Sequence, residues 1–179
     1  MSESLVYWQN RYKKYGSFYV GDKRHNVTEH YLFYEDKKNY IKKFIPEYSK
    51  VLDFGCGVGM FADLFDNTKY IGVDIVLNEF FYNQYDVRLI KPFEKIDIEV
   101  DLIFTGNVLQ HIEDVDSVFK SWTIRKGHLL LFENCKDQNY YTFGRTLQEY
   151  RVLIENNFEI NEISHDYFKG NNILIKVKL

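Results

Sequence analysis

The 179-residue sequence predicts a doubly wound, three-layer α/β fold: a mostly parallel sheet, helices on both faces, and one reversed strand at an edge. Three observations predict it. Short apolar runs alternate along the chain with segments of helical period, the mark of strand–helix–strand units. The run HLLLFEN at 128–134 is apolar without alternation, as expected of a strand covered on both faces. The closing stretch, FEINEISHDYFKGNNILIKVKL, divides into two strands around Gly170–Asn171, and so short a connection requires antiparallel pairing.

The elements follow in order. ESLVYWQNRYKKY, at 3–15, has the length of a short helix, and Gly16 ends it. Residues 29–45 form a second helix that carries Ile41, Phe44 and Ile45 inward and stops before Pro46. VLDF at 51–54 is the first strand; the chain then breaks into glycines, and a helix is expected from about Met60. YIGVDI (70–75) and DLIFTGN (101–107) are strand-like, and VRLI (87–90) is a weaker candidate. Residues 113–122 set Val115, Val118, Phe119 and Trp122 on one helix face, and 146–156 repeat the pattern through Leu147, Tyr150, Leu153 and Ile154. We read 1–179 as one domain, with 1–45 as a helical N-terminal segment.

Composition narrows the classes. Apolar residues at 45% and charged residues at 27% are ordinary for a soluble globular domain. No apolar run approaches a membrane span, and MSESLVYWQNRYKK has no signal-peptide layout. The two cysteines, Cys56 and Cys135, lack metal-ligand spacing and do not read as a structural pair; a reducing, cytoplasmic setting is expected. The 15 Tyr and 15 Phe reflect compositional drift more than an aromatic pocket. A net charge of −3 argues against a dedicated nucleic-acid binder. The charge is uneven, however: residues 1–50 hold 10 Lys/Arg against 6 Asp/Glu, the rest 13 against 20. An anionic substrate would approach the N-terminal side.

The chemistry centres on VLDFGCGVGMFADLF, at 51–65. Gly55, Gly57 and Gly59 let a ligand approach the backbone without Cβ clashes. The dinucleotide fingerprint G-x-G-x-x-G fails here, because Met60 holds its third glycine position. Asp53 stands two residues before the first glycine, where a carboxylate would repel a pyrophosphate and attract a cation. Asp74 closes YIGVD at the end of the second strand and can accept from both hydroxyls of a ribose. Together the two acids specify a nucleoside carrying a positive charge.

With D-F-G-C-G-V-G at 53–59, G-V-D at 72–74 and D-L-I-F-T-G-N-V-L-Q-H-I at 101–112, the sequence resembles the class I S-adenosylmethionine-dependent methyltransferases over residues 45–135. The resemblance implies a seven-stranded, Rossmann-like sheet with a reversed terminal hairpin. It implies S-adenosylmethionine as cofactor and S-adenosylhomocysteine as product. Asp53 would lie near the methionine ammonium, and the backbone of Gly55, Cys56, Gly57 and Gly59 would wrap the methionine part, with Cys56 a small filler rather than a nucleophile. Asp74 would bind the ribose hydroxyls and Ile75 would pack near the adenine. Asp86 is carried over as an acceptor for the adenine amine, although only 11 residues separate it from Asp74. Gly106, Asn107 and Val108 would line the sulfonium and the substrate opening. Glu133 and Cys135, at the end of the fifth strand, read as structural or cleft-lining.

Methyl transfer needs a general base only for some acceptors. His111 is the candidate, weighed against a cleft-lining role. His111, Glu113 and Asp114 lack metal-ligand spacing on one face, so no metal is expected. Ser164–His165–Asp166 is contiguous and cannot form a triad within a strand. The opening YWQNRYKKYGSF resembles the W-x-x-R-Y start of some small-molecule methyltransferases, where it folds over the cofactor as a lid. By that resemblance Arg11 would pair with the methionine carboxylate, and Trp8, Tyr12, Tyr15 and Phe18 would shape the acceptor pocket. T-G-N-V stands where base- and glutamine-methylating relatives carry an N-P-P-Y-type tetrad. The expected activity is methylation of O or N on a small molecule. The alternatives are an RNA or protein methyltransferase and a non-catalytic S-adenosylmethionine-binding module.

Overall fold

The computed structural model describes residues 3–15, 27–76, 85–135, 138–139, 142–169 and 171–179. Its strands are β1 (Val51–Phe54), β2 (Tyr70–Asp74), β3 (Asp86–Leu89), β4 (Leu102–Gly106) and β5 (His128–Asn134). After these come a small hairpin, β6 (Gln138–Asn139) and β7 (Thr142–Phe143), and the closing pair, β8 (Glu162–Phe168) and β9 (Asn172–Lys178). Seven of them form one sheet in the order β3-β2-β1-β4-β5-β9-β8. β9 alone runs against its neighbours, β5 and β8; the other pairings are parallel. The expected fold class is the one observed.

The described residues hold four α-helices, α1 (Glu3–Tyr15), α2 (Val27–Ile41), α3 (Val115–Ser121) and α4 (Leu147–Asn157), of which α2, α3 and α4 pack on the sheet. Alternation along each strand divides the core into two layers. On one face Leu52, Phe54, Ile71, Val73, Ile103, Leu129 and Leu131 meet Val118, Phe119, Tyr150 and Ile154 of α3 and α4. On the other, Val51, Tyr70, Leu102, Phe104, Leu130 and Phe132 meet Tyr34 and Ile41 of α2, with Phe61 and Phe65. α2 is thus a layer of the sandwich. α3 starts where Asp114 accepts from the Ser117 amide at 3.0 Å, and α4 opens with a capping box between Thr146 and Glu149.

The structure corrects one element. No α-helix begins near Met60; residues 57–61 are turns and only Ala62–Leu64 form a 3₁₀ segment. The Gly59 amide donates to Cys56 O and the Ala62 amide to Gly59 O, so the chain tightens to i→i+3 bonds. Asp66 then folds a second turn by accepting from the Thr68 amide and hydroxyl. Between those two turns too few residues remain to repay helix nucleation. Apolar spacing read alone predicted a helix that has no room to form.

Candidate functional site

The carboxyl ends of the parallel strands gather the chemistry, where the strand order reverses between β1 and β4. Gly55, Gly57 and Gly59 all have positive φ, at 74°, 55° and 76°. A Cβ on Gly55 would meet Val108 at 2.5 Å, so the loop after β4 closes directly over this turn. The turn's amides are already engaged. Gly55 and Cys56 donate to Val73 O, Gly57 to Asp74 Oδ2 at 2.8 Å, and Gly59 to Cys56 O. A loop that spends these donors on protein oxygens is no phosphate nest, which agrees with the failure of the dinucleotide pattern.

Asp53 lies on the sheet face shared by Tyr70, Gly72 and Asp74, because it pairs with Gly72 in register. It is 2% exposed and accepts from the Tyr70 hydroxyl at 2.6 Å, on Oδ2. Burial raises its pKa to about 7; the Tyr70 hydrogen bond opposes the shift and the nearby Asp74 adds to it. Asp74 is buried too, with Oδ2 bound by the Gly57 amide and Oδ1 by that of Val76. Burial lifts its pKa to about 6 against these amides. Two buried acids beside a side-chain-free turn fit a cationic nucleoside. Cys56 is buried and its thiol is pushed well up, by burial first and then by Asp74 and Asp53, so it is an inert filler.

The second half of the site lies after β4 and β5. Gly106 ends β4, and a Cβ there would strike the Phe61 ring at 2.6 Å, so its bareness serves packing. Asn107 takes φ 60° and donates its amide to Phe132 O at 2.7 Å; its buried Nδ2 has no partner among the described residues. Leu109–His111 form a 3₁₀ turn. Glu133, fully buried, holds that turn by accepting from Thr105 Oγ1 at 2.8 Å and from the Val108 and Gln110 amides at 3.3 Å. Burial pushes Glu133 up to about 7. The Asn134 amide donates to Gln110 Oε1 at 2.7 Å. Arg145 completes the clamp, donating to the carbonyls of Leu109, Ile112, Glu113 and Phe143.

His111 is half-buried in this held turn, 3.2 Å from Gln110 Nε2, and Trp8 of α1 meets its ring edge-on at 4.9 Å. Arg11 donates to the Tyr7 hydroxyl at 3.3 Å and stands 5.9 Å from the Trp8 ring. Helix α1 therefore sits beside the β4 end of the cleft, with Trp8 as its contact and Tyr12 half-buried on the same helix. Phe18 and the side chain of Tyr15 lie outside the described residues. Ile75, half-buried, follows Asp74 directly.

Asp86 is a correction. It opens β3 opposite Ile71, whereas Leu89 is the residue opposite Asp74. Three residues of strand put it roughly 10 Å from the carboxyl ends. It is exposed and paired with Arg88 at 2.8 Å. It stands at the other end of its strand from the level of Asp74.

Tyr70 and Arg145 escaped the sequence reading, and Glu133 was read only as structural or cleft-lining. The face-sharing of Tyr70 and Asp53 follows from alternation once the β1–β2 register is known; nothing near Arg145 announces its four carbonyl acceptors. Lys37 on α2 is a further surprise. It is 4% exposed, lies 5.3 Å from the Tyr34 ring and 5.7 Å from that of Phe132, and burial lowers it to about 8 against the pull of Glu133. Among the described residues no group of acids, histidines and cysteines could hold a metal, and no helix is long and apolar enough to cross a membrane.

A doubly wound sheet with a glycine turn and paired acids at its reversal defines a nucleoside-cofactor enzyme fold of the class I methyltransferase type. A family model, the methyltransferase domain, matches residues 24–161. The chain belongs to that family and is a class I S-adenosylmethionine-dependent methyltransferase by fold and cofactor class. Phosphoethanolamine N-methyltransferase 1 of Zea mays is 26% identical over 140 residues, covering 68% of this chain. The chain spans 27% of the length of that relative. Among solved structures, an S-adenosylmethionine-dependent methyltransferase from Thermotoga maritima superposes with a TM-score of 0.68 at 15% identity, covering 98% of this chain and 97% of that one. The 1,6-didemethyltoxoflavin-N1-methyltransferase of Burkholderia thailandensis, solved with its substrate and S-adenosylhomocysteine, gives 0.64 at 14% identity, covering 99% and 91%.

Proposed function

We propose that this chain transfers a methyl group to an oxygen or nitrogen of a small-molecule acceptor. One observation supports the reading: Trp8 of α1 lies against His111, so that, with His111 on the acceptor side of the cleft, the N-terminal helix would stand there as a lid would. A lid of that kind encloses a small molecule and leaves little room for a polymer.

S-Adenosylmethionine, when bound, supplies an electrophilic methyl on positively charged sulfur. Asp53 would face its ammonium, Asp74 its ribose hydroxyls, Ile75 its adenine, and the Gly55–Gly59 backbone its methionine part. Asn107 and Val108 would border the reacting centre, and Arg11 would meet the methionine carboxylate. The remaining task is alignment and exclusion of water, which α1 and the Arg145-held turn serve. His111 would accept the acceptor's proton at a ring nitrogen when the nucleophile is a hydroxyl or a protonated amine. The net positive N-terminal side favours an anionic acceptor.

The test is calorimetry with S-adenosylhomocysteine, followed by methyl-transfer assays against a panel of small amines, phenols and anionic alcohols. Micromolar binding and turnover of a panel member support the reading. Binding without turnover on any small molecule, but with methylation of RNA or protein, overturns it.

A further inference from the structure

Asp53 accepts one hydrogen bond among the described residues, from Tyr70, although it is buried and a carboxylate has room for about four. The contact is built. Tyr70 starts β2, two residues before Gly72, and Gly72 is the residue opposite Asp53 in the parallel register. A Cβ on Gly72 would lie 3.1 Å from the Tyr70 hydroxyl and 2.9 Å from Cys56 Sγ. The missing side chain leaves the lane through which the phenol reaches across from one strand to the next. The Tyr70 ring is fixed behind by Phe65, at 6.1 Å between centroids, and by Tyr85, at 5.2 Å.

We infer that Tyr70 is a positioning residue for cofactor recognition: its hydroxyl keeps Asp53 ionised and oriented, leaving the carboxylate's other oxygen to receive the cofactor ammonium. The inference rests on the methyltransferase reading of Asp53 and extends it to a residue that itself need not touch the cofactor. A charge-assisted hydrogen bond favours the ionised acid, so its loss makes Asp53 easier to protonate. The titratable groups facing Asp53 are Tyr70 and Asp74 from β2 and Cys56 from the turn, with Tyr85 behind Tyr70; β4 contributes only Phe104 at the paired position. Tyr70 and Cys56 are both held well above their usual ranges and stay neutral near pH 7. Lys37 on α2 answers to Glu133.

The test compares wild type, Tyr70→Phe, Asp53→Asn and the double variant. Binding of S-adenosylhomocysteine is measured by calorimetry from pH 6 to 9, and the Asp53 carboxyl carbon is titrated by NMR in the unliganded protein. Phenylalanine keeps both ring contacts, so the fold should hold, and thermal melting checks it. In Tyr70→Phe the Asp53 midpoint should move up by about 0.5–1 pH unit. Affinity near pH 7 should fall roughly 2- to 5-fold, the gap closing by pH 9, and Asp53→Asn should abolish the difference. An unmoved carboxyl midpoint, or an equal loss of affinity at every pH, overturns the inference. A protein that binds no S-adenosylhomocysteine while the carboxyl midpoint still shifts refutes the cofactor role of Asp53 and leaves the Tyr70–Asp53 coupling standing.

Discussion

Asp53 and Glu133 are both fully buried acids at strand ends, both with pKa values raised to about 7, yet they are served very differently. Glu133 has both oxygens engaged, by the Thr105 hydroxyl and by amides of the turn it caps. Asp53 has one donor among the described residues, the Tyr70 hydroxyl. Buried polar groups are normally satisfied, so a shortfall calls for a ligand and a full set describes a structural brace. On the proposed reading the β1–β2 half of the cleft receives charge, and the β4–β5 half holds a loop still.

Exchanging the two roles by mutation should separate affinity from stability. Asp53→Asn should weaken S-adenosylhomocysteine binding at least tenfold, about 1.4 kcal/mol or more, because a charge-assisted contact becomes a neutral one. Its melting temperature at pH 8 should hold or rise, since a buried charge is removed. Glu133→Ala should do the reverse. The orphaned Thr105 hydroxyl and turn amides cost roughly 2 kcal/mol, or about 4–8 °C in melting temperature, with affinity kept within about threefold. If Glu133→Ala loses affinity and keeps its melting temperature, the contrast is wrong.

The pH dependence sharpens the same contrast. Asp53, Asp74 and Glu133 all titrate higher in the fold than in the unfolded chain, with values of about 7, 6 and 7. A raised acid contributes stability that is fully present below its unfolded pKa and is lost as pH rises through the folded value. The unliganded protein should therefore melt higher at pH 6 than at pH 7.5, while affinity for S-adenosylhomocysteine, held through its ammonium, rises over the same interval. His128, lowered chiefly by burial, opposes the stability trend. The acids held below their usual range, such as Asp101 and Asp114, act only at more acidic pH. Melting scans and calorimetry at matched pH test the opposed slopes; Asp53→Asn should flatten the affinity slope and lessen the melting slope, which Asp74 and Glu133 still carry. Parallel slopes would refute the account.

These outcomes depend on facts of unequal legibility. The sheet, its reversed strand and the acids Asp53 and Asp74 could be read because each is carried by local pattern: alternation, apolar runs, glycine spacing. The absent helix after Met60 could not, because it turns on how much chain two flanking turns consume. Asp86 misled for a related reason. Sequence spacing gave a distance along the chain, whereas its place at the wrong end of β3 is set by register with β2. Tyr70 and Arg145 act across strands and loops, and only the assembled sheet brings them to their partners.

Arg145 gives a test within the β4–β5 half alone. Its guanidinium spans the carbonyls of Leu109, Ile112 and Glu113, so the turn bearing His111 is held at its carbonyls by Arg145 and at its amides by Glu133. Arg145→Ala should lower kcat roughly tenfold by letting His111 and Trp8 drift, with S-adenosylhomocysteine affinity little changed. Arg145→Lys, a point donor in place of a planar fork, should recover part of the rate. Loss confined to cofactor affinity would show that the turn serves the cofactor rather than the acceptor.

The smallest expected effect calibrates the others. Thr146 opens α4 through a reciprocal pair: its hydroxyl accepts from the Glu149 amide at 3.2 Å, and Glu149 accepts from the Thr146 amide at 2.7 Å. The box lies next to Arg145 in sequence, and the helix it caps packs on the same core face as Leu109 of the turn, but the side-chain hydrogen bonds of Thr146 and Glu149 stay within the box. Thr146→Ala should cost about 1 kcal/mol, some 2–4 °C in melting temperature. Neither kcat nor cofactor affinity should move. If this purely structural loss also lowers kcat, the brace around His111 extends into α4, and stability and catalysis in that half of the cleft are one property rather than two.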